Sequence, residues 1–123
     1  MIYKNCIDAC FDAVKAAERC AFDCCHKESK ECSTDKHCST HEHKHCCASK
    51  HCCVMCADIC ALVGRMTARG CCSKDLYELC AKMCDDCANH CGKVDHAHTK
   101  ACALAAKKCA EACRAACKED CRK

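Results

Sequence analysis

The sequence of 123 residues contains no proline and only three glycines, at positions 64, 70 and 92. Because these two residue types are the strongest breakers of regular structure, little in the chain interrupts long helices. Tryptophan is also absent, and two Phe and two Tyr are the only aromatic residues. The net charge of +3 is spread along the chain without a basic stripe. This composition gives no support to nucleic-acid binding.

Long apolar runs are missing as well. No run of about 18 or more apolar residues is present, so we predict no membrane-spanning helix. The start of the chain, from Met1 to Cys6, lacks the basic region and apolar stretch of a secretory signal. We therefore expect residues 1–123 to form a single domain of ordinary size that stays in the cytoplasm.

Ordinary core residues are scarce. Apart from cysteine, the hydrophobic residues include 20 Ala, and Ile, Leu, Val and Phe together number only 13. Cysteine accounts for 24 residues, well above the roughly one tenth that marks a cysteine scaffold. Since Cys behaves as a small and readily buried hydrophobe, we expect it to supply the interior that the aliphatic residues cannot fill.

Many cysteines recur at spacings of three and four residues, which places them on one face of a helix. The pattern predicts four helices and a polar connector: helices at about 2–26, 46–68, 73–91 and 95–121, and a His-rich and Cys-rich connector at 27–45. Gly70 and Gly92 are typical of helix C-terminal ends, and Ser73 and Asp95 of N-terminal caps. We expect an all-α, up-down-up-down four-helix bundle with a cysteine-lined core.

This topology brings the connector between helices one and two to the same end as the turn between helices three and four. Both segments are rich in histidine. We expect His90, His96 and His98 to lie at this end with the histidines of the connector. The predicted result is a polar, histidine-lined mouth through which a metal ion enters.

The repeated element is Cys-x-x-x-Cys, as from Cys56 to Cys60 and from Cys109 to Cys113. Residues four apart on a helix have Cβ atoms about 5–6 Å apart, whereas a disulfide requires about 3.5–4.5 Å. A metal ion spans this gap better, because two metal–sulfur bonds place the sulfur atoms roughly 4.5 Å apart. The spacing and a reducing compartment both argue against a disulfide framework.

Soft thiolates select copper(I), zinc or iron–sulfur clusters. Zinc usually takes two Cys-x-x-Cys knuckles on loops, and the two such spacings here, Cys53 to Cys56 and Cys84 to Cys87, lie in predicted helices. Iron–sulfur clusters would leave most of the cysteines unexplained. Copper(I) neutralises buried thiolates one for one and is favoured, with on the order of 20 ions per chain. A zinc or broad-metal buffer resembling a metallothionein is the alternative.

The candidate metal ligands are cysteines of the helices and the three histidines of the mouth. They are Cys6, Cys10, Cys20, Cys24, Cys46, Cys52, Cys53, Cys56, Cys60, Cys80, Cys84, Cys87, Cys91, Cys102, Cys109, Cys113, Cys117, Cys121, His90, His96 and His98. Thiol redox catalysis needs one or two activated cysteines in an identifiable site, and nothing singles out such a pair. We therefore expect a binding protein rather than an enzyme.

Ordered motifs in the second half of the chain carry a family resemblance. They are Cys56-Ala-Asp-Ile-Cys60, Ala68-Arg69-Gly70, Glu78-Leu79-Cys80-Ala81, Cys87-Ala-Asn-His-Cys91-Gly-Lys, His96-Ala-His98 and Cys109-Ala-Glu-Ala-Cys113. In these motifs the chain resembles the bacterial copper storage proteins. The resemblance implies a bundle filled with copper(I) thiolate clusters, histidines at the open end, a homotetramer, and the cytoplasmic branch of the family.

Three features depart from the pattern of that family. Helix one has no Cys between Cys10 and Cys20, and Thr99 stands where a Cys commonly follows the His-x-His turn. The connector at 27–45 is richer in Cys and His than the family leads us to expect.

Overall fold

The computed structural model describes residues 2–23, 41–93 and 96–120, and in the second helix its described side chains start at Lys50. These residues form four helices and no strand. The helices are α1 (Ile2–Asp23), α2 (His41–Ala68), α3 (Lys74–Cys91) and α4 (Ala97–Asp120).

The four helices form a bundle in which each helix packs chiefly against two others. Both α1 and α3 pack against α2 and α4, so α1 and α3 stand at opposite corners. Consecutive helices run in opposite directions: along α2 and α3, Cys53 pairs with Cys91 and Cys60 pairs with Cys80. The predicted all-α, up-down-up-down bundle is confirmed.

Cysteine and alanine dominate the interior of the bundle, as the composition predicts. Val63 is fully buried, and Tyr77 is the largest fully buried side chain among the described residues. Few other aliphatic residues reach the core. The fold therefore places its thiols where other four-helix bundles place Leu and Ile.

The turn between α2 and α3 is set by glycine and serine, as expected. Gly70 has a φ of 78°, in the left-handed region, and its N–H donates to Thr67 O at 3.0 Å. The N–H of Cys71 donates to Met66 O at 3.0 Å, which completes a Schellman motif. Ser73 then caps α3 by accepting a hydrogen bond from the N–H of the residue three positions later.

A glycine also allows α1 and α2 to approach each other closely. A Cβ atom added at Gly64 would lie 3.0 Å from the Phe11 ring and 3.2 Å from Cys10 Cβ. Both distances are shorter than ordinary van der Waals contact. The two helices can therefore approach this closely only because residue 64 has no side chain.

Two predicted helix boundaries differ from the structure. α2 begins at His41, so the prediction of a connector is wrong over residues 41–45. Without Pro or Gly, a helix continues through a polar segment that shows no apolar period. α4 begins at Ala97 rather than at 95. Asp95, the predicted cap, and residues 24–40 lie outside the described part of the chain.

One segment of α2, Lys50–Ala68, is long and apolar enough to cross a membrane by length and composition alone. Half of it is buried within the bundle, and core helices of soluble proteins meet the same criterion. The sequence contains no unbroken apolar run of this length, but the segment passes on average hydropathy because it is rich in cysteine.

Candidate metal centre

Thirteen cysteine side chains from all four helices fill the axis of the bundle, and each has at most 1% of its surface exposed. We call this set the cysteine column. Its members are Cys6, Cys10, Cys20, Cys53, Cys56, Cys60, Cys80, Cys84, Cys87, Cys91, Cys102, Cys109 and Cys113. All thirteen were predicted as ligands from their spacing, and the structure gathers them in one place.

The antiparallel pair α2 and α3 forms one side of the column. Cys60 Sγ lies 3.4 Å from Cys84 Sγ and 3.8 Å from Cys80 Sγ. One turn earlier in α2, Cys56 Sγ lies 3.7 Å from Cys84 Sγ. Thiols on successive turns of one helix thus face the gaps between thiols of its neighbour, because both stripes repeat every three to four residues.

Sulfur atoms of α4 and α1 also pack into the column. Cys109 Sγ lies 3.6 Å from Cys60 Sγ on α2 and 3.7 Å from Cys10 Sγ on α1. Nearer the other end of α4, Cys102 Sγ lies 3.6 Å from Cys53 Sγ and 3.7 Å from Cys87 Sγ. Every helix therefore contributes thiols to a common chain of contacts.

Three groups of four thiols are compact enough to surround a metal ion, with all sulfur atoms of a group within 4.8 Å of one another. The groups are Cys20/Cys53/Cys91/Cys102, Cys10/Cys80/Cys109/Cys113 and Cys60/Cys80/Cys84/Cys109. The second and third groups share Cys80 and Cys109. Two ions in these groups must therefore be bridged by common thiolates, which is the arrangement of a metal–thiolate cluster.

Hydrogen bonds among the thiols divide the column into proton donors and acceptors. The pKa of Cys102 is lowered to about 5, first of all by the hydrogen bond with Cys20. The pKa of Cys6 is lowered to about 4, with the hydrogen bond to Cys10 as the largest cause. The pKa of Cys53 is raised, chiefly because it shares a proton with Cys102. The column thus combines thiolates and thiols, and its thiolates attract soft cations.

Histidines lie where α3 ends and α4 begins. His98 Nδ1 is 3.4 Å from Cys20 Sγ, the outermost column thiol of α1 in the described residues. The rings of His96 and His98 stack with their centroids 5.4 Å apart and an interplanar angle of 19°. His90 is half-buried in the last turn of α3. The structure therefore places imidazole at one end of the column. Of the connector histidines, His37 lies outside the described residues, and His41, His43 and His45 have no described side chains.

Thr99, the residue that departs from the family pattern, shapes this end. It is fully buried and its hydroxyl donates to His96 O at 2.9 Å, while the N–H of His96 donates to Thr99 Oγ1 at 3.3 Å. Both bonds tie the Thr99 side chain to the backbone of His96, the residue before α4, and the second is half of a capping box. Thr99 thus holds the turn that carries His96 and His98.

The opposite end of the column is closed by hydroxyl groups, a feature that the sequence analysis missed. Thr67 Oγ1 lies 2.8 Å from Tyr77 OH and 4.0 Å from Cys6 Sγ. Both Thr67 and Tyr77 are buried. A signal was present in the sequence, because Thr67 continues the stripe of Cys53, Cys56, Cys60 and Val63 on α2.

Other predicted ligands lie beside the column or outside the described residues. Cys52 and Cys117 are half-buried next to it, and burial is the largest cause that raises the pKa of Cys52. Cys24 and Cys121 lie outside the described residues, as does the side chain of Cys46. Thus only one member of the adjacent pair Cys52 and Cys53 faces the axis.

The loop cysteines behave differently from those of the helices. Cys71, in the turn between α2 and α3, is exposed and carries a free thiol. Its neighbour Cys72 is disulfide-bonded. All other cysteines whose side chains the structure describes are free, so the column is not a disulfide framework.

Fold and site together define a class of protein: a four-helix bundle whose core is a column of thiol ligands. No protein-family model matches the chain. A cysteine-rich protein of Bacillus subtilis, YhjQ, described as uncharacterized, is 40% identical over 107 residues, which are 86% of this chain and 87% of the relative.

Solved structures identify the family. The Cu(I)-bound copper storage protein BsCsp3 superposes with a TM-score of 0.75 at 34% identity, covering 94% of this chain and 97% of its own. The apo form of copper storage protein 3 from Bacillus subtilis gives a TM-score of 0.69 at 35% identity, covering 91% and 95%. The chain belongs to the copper storage protein family.

Proposed function

We propose that this protein stores and buffers copper(I), binding many ions per chain with the thiolates of the cysteine column. The observation that carries this proposal is the close packing of thiols from all four helices, in which many sulfur atoms lie 3.4–3.9 Å from a neighbour. Small movements bring such atoms to the roughly 4.5 Å that a linear sulfur–copper–sulfur unit requires. The Cu(I)-bound relative has the same fold.

The number of thiols and the solved relative favour copper(I) over zinc. Zinc in structural sites takes four ligands, whereas copper(I) is softer and two bridging thiolates satisfy it. Groups that share Cys80 and Cys109 can therefore hold more copper(I) than zinc. Because the relative BsCsp3 is Cu(I)-bound, a metallothionein-like zinc buffer is the weaker alternative.

The ligands that we assign are the thirteen cysteines of the column, with Cys52 and Cys117 at its sides. Cys24, Cys46 and Cys121 complete the assignment from their helical spacing. His90, His96 and His98 belong to the same set as the first contacts of an incoming ion. Neutral imidazole binds copper without the negative charge that a thiolate offers, so it passes the ion on to the thiolates. His98, 3.4 Å from Cys20, is placed for that transfer.

The setting of this function is the cytoplasm, and the assembly is a homotetramer. Free thiols in a column are what a reducing compartment maintains. Large apolar side chains on the outer surface, among them Phe22, Leu62 and Leu104, are available for self-association. Binding many ions requires ligands rather than turnover, so we assign no catalytic activity. We also assign no nucleic-acid partner and no membrane insertion.

Elemental analysis tests this function. Protein purified from cells grown with added copper should contain many copper ions and little zinc. The double variant Cys60→Ser/Cys84→Ser, which removes the closest thiol pair of the column, should contain clearly less copper. Cys71→Ser, at the exposed loop cysteine, is the matched control and should contain as much copper as the unchanged chain. Zinc as the main metal in the unchanged protein would overturn the proposal.

A further inference from the structure

At the end opposite the histidines, the row of thiols on α2 ends in an oxygen atom. Cys6 Sγ lies 4.0 Å from Thr67 Oγ1, close to the distances of 3.4–3.9 Å that separate neighbouring sulfur atoms in the column. Thr67 also continues the cysteine stripe of α2. It therefore occupies the position that the next thiol ligand would take.

The hydroxyl of Thr67 is fixed by two further contacts. It donates its only proton to Val63 O at 2.8 Å. Because a hydroxyl has one proton, Tyr77 must be the donor in the 2.8 Å contact between the two side chains. Thr67 is 6% exposed and Tyr77 is fully buried, so this pair fills the core next to Cys6 and leaves it closed to water. We call the pair the end wall.

A hydroxyl oxygen is a hard and neutral ligand, whereas copper(I) prefers soft donors. Because this oxygen is neutral, it also cannot balance the positive charge of one more copper(I) ion. Resting on the storage function proposed above, we propose that the end wall, Thr67 held in place by Tyr77, terminates the row of thiol ligands on α2 and so limits how many copper(I) ions the column accepts. Thr67 is a positioning residue in this account and does not bind copper.

The direct test is to replace the wall by a ligand. Thr67→Cys should bind roughly one more copper(I) per chain than the unchanged protein, since one added thiolate balances one ion. The count is taken by anaerobic titration with copper(I) in the presence of a competing chelator. Ala68→Cys, one residue further along α2 and exposed, is the matched control and should add no ion that resists the chelator.

A second variant keeps the test decisive if Thr67→Cys does not fold. Thr67→Val preserves the shape of the side chain and removes the hydroxyl, so the bound number of ions should stay the same. A lower number would show that Thr67 itself is a ligand and would overturn the inference. An unchanged number in folded Thr67→Cys, or an equal gain in Ala68→Cys, would overturn it as well.

The two proposals fail in different ways. If the unchanged protein saturates at a few ions, the storage function is wrong. If it binds many ions and folded Thr67→Cys binds the same number, only the end wall is wrong.

Discussion

The two ends of the bundle are built from the same four antiparallel helices but present different chemistry to the cysteine column. At one end His98 Nδ1 lies 3.4 Å from Cys20 Sγ, so a nitrogen ligand meets the outermost thiol. At the other end Thr67 Oγ1 lies 4.0 Å from Cys6 Sγ, and Tyr77 seals the contact. Imidazole binds copper(I), whereas a hydroxyl does not bind it well. If the protein stores copper(I) as proposed, this difference predicts that the column loads at the histidine end.

Competition between copper(I) and zinc should give the largest effect, and it should distinguish the cysteine column from the histidine end. Copper(I) added to zinc-loaded protein should release almost all of the zinc, because the column of thiolates favours the softer ion. Any zinc that remains should depend on the histidine end, since imidazole suits zinc and copper alike. A zinc indicator and elemental analysis follow the exchange. Retention of most of the zinc, or displacement of bound copper by excess zinc, would favour the alternative function.

Removing the histidines tests the direction of loading. The triple variant His90→Ala/His96→Ala/His98→Ala should load copper(I) about tenfold more slowly, the loss expected when one favourable contact worth about 1.4 kcal/mol disappears. The final number of bound ions should change little, because the thiolates remain. Stopped-flow loading from a copper(I) chelate measures both quantities.

His51→Ala is the control for that experiment, because this histidine is exposed on α2. It should load at the normal rate. The mouth hypothesis is wrong if the triple variant loads as fast as the unchanged protein, or if it loses a large share of the copper bound at saturation.

A substitution at Gly64 tests how closely α1 and α2 pack near the end of the column opposite the histidines. Gly64→Ala should lower the free energy of unfolding of the metal-free protein by about 1 kcal/mol, because the contact of the new methyl group with Phe11 and Cys10 costs more than the roughly 1 kcal/mol that Ala gains over Gly in a helix. Chemical denaturation measures the change. Arg65→Ala, at the next and exposed residue, should cost less than about 0.5 kcal/mol. Equal stability of Gly64→Ala and the unchanged chain would mean that α1 and α2 do not need this close approach.

Proton release compares the thiolates of the two ends and has the smallest expected effect. The pKa of Cys6, at the closed end, is about 4, and that of Cys102, near the histidines, is about 5. Both thiols are therefore deprotonated at pH 7 in the metal-free protein, and copper(I) displaces no proton from them. Fewer than one proton per ion should be released at pH 7, and the number should rise as the pH falls through about 5 and then about 4.

A pH indicator in weakly buffered solution measures this release. Independent thiols with the ordinary pKa of 9.0 would release one proton per thiolate across the whole range from pH 7 to pH 4. A constant value of one would therefore contradict the hydrogen-bonded arrangement of the column.

Much of the column was predictable from sequence, because burial in a helical bundle follows the period of the helix. The stripe of Cys53, Cys56 and Cys60 is buried as expected. Cys52 was also predicted as a ligand, but it is only half-buried beside the column, because neighbours on a helix point about 100° apart. Its distance from the axis depends on how α3 packs against α2, which the sequence of α2 alone does not give.

The ends of the column were harder to predict than its middle. The histidine end followed from topology, which brings the start of α4 beside the end of α1. The wall at Thr67 required two side chains from different helices to meet at 2.8 Å, and no local pattern encodes such a contact. The start of α2 at His41 was missed because a polar segment without Pro or Gly has no signal that stops a helix.

The central claim is that the cysteine column holds many copper(I) ions rather than a few. Anaerobic titration of the reduced protein with copper(I), against a competing chelator of known affinity, measures the number directly. Bridging thiolates recruit nearly every thiol of the column, so saturation should occur well above about ten ions per chain. Saturation at about one to four ions, as expected for isolated four-ligand sites, would contradict the account.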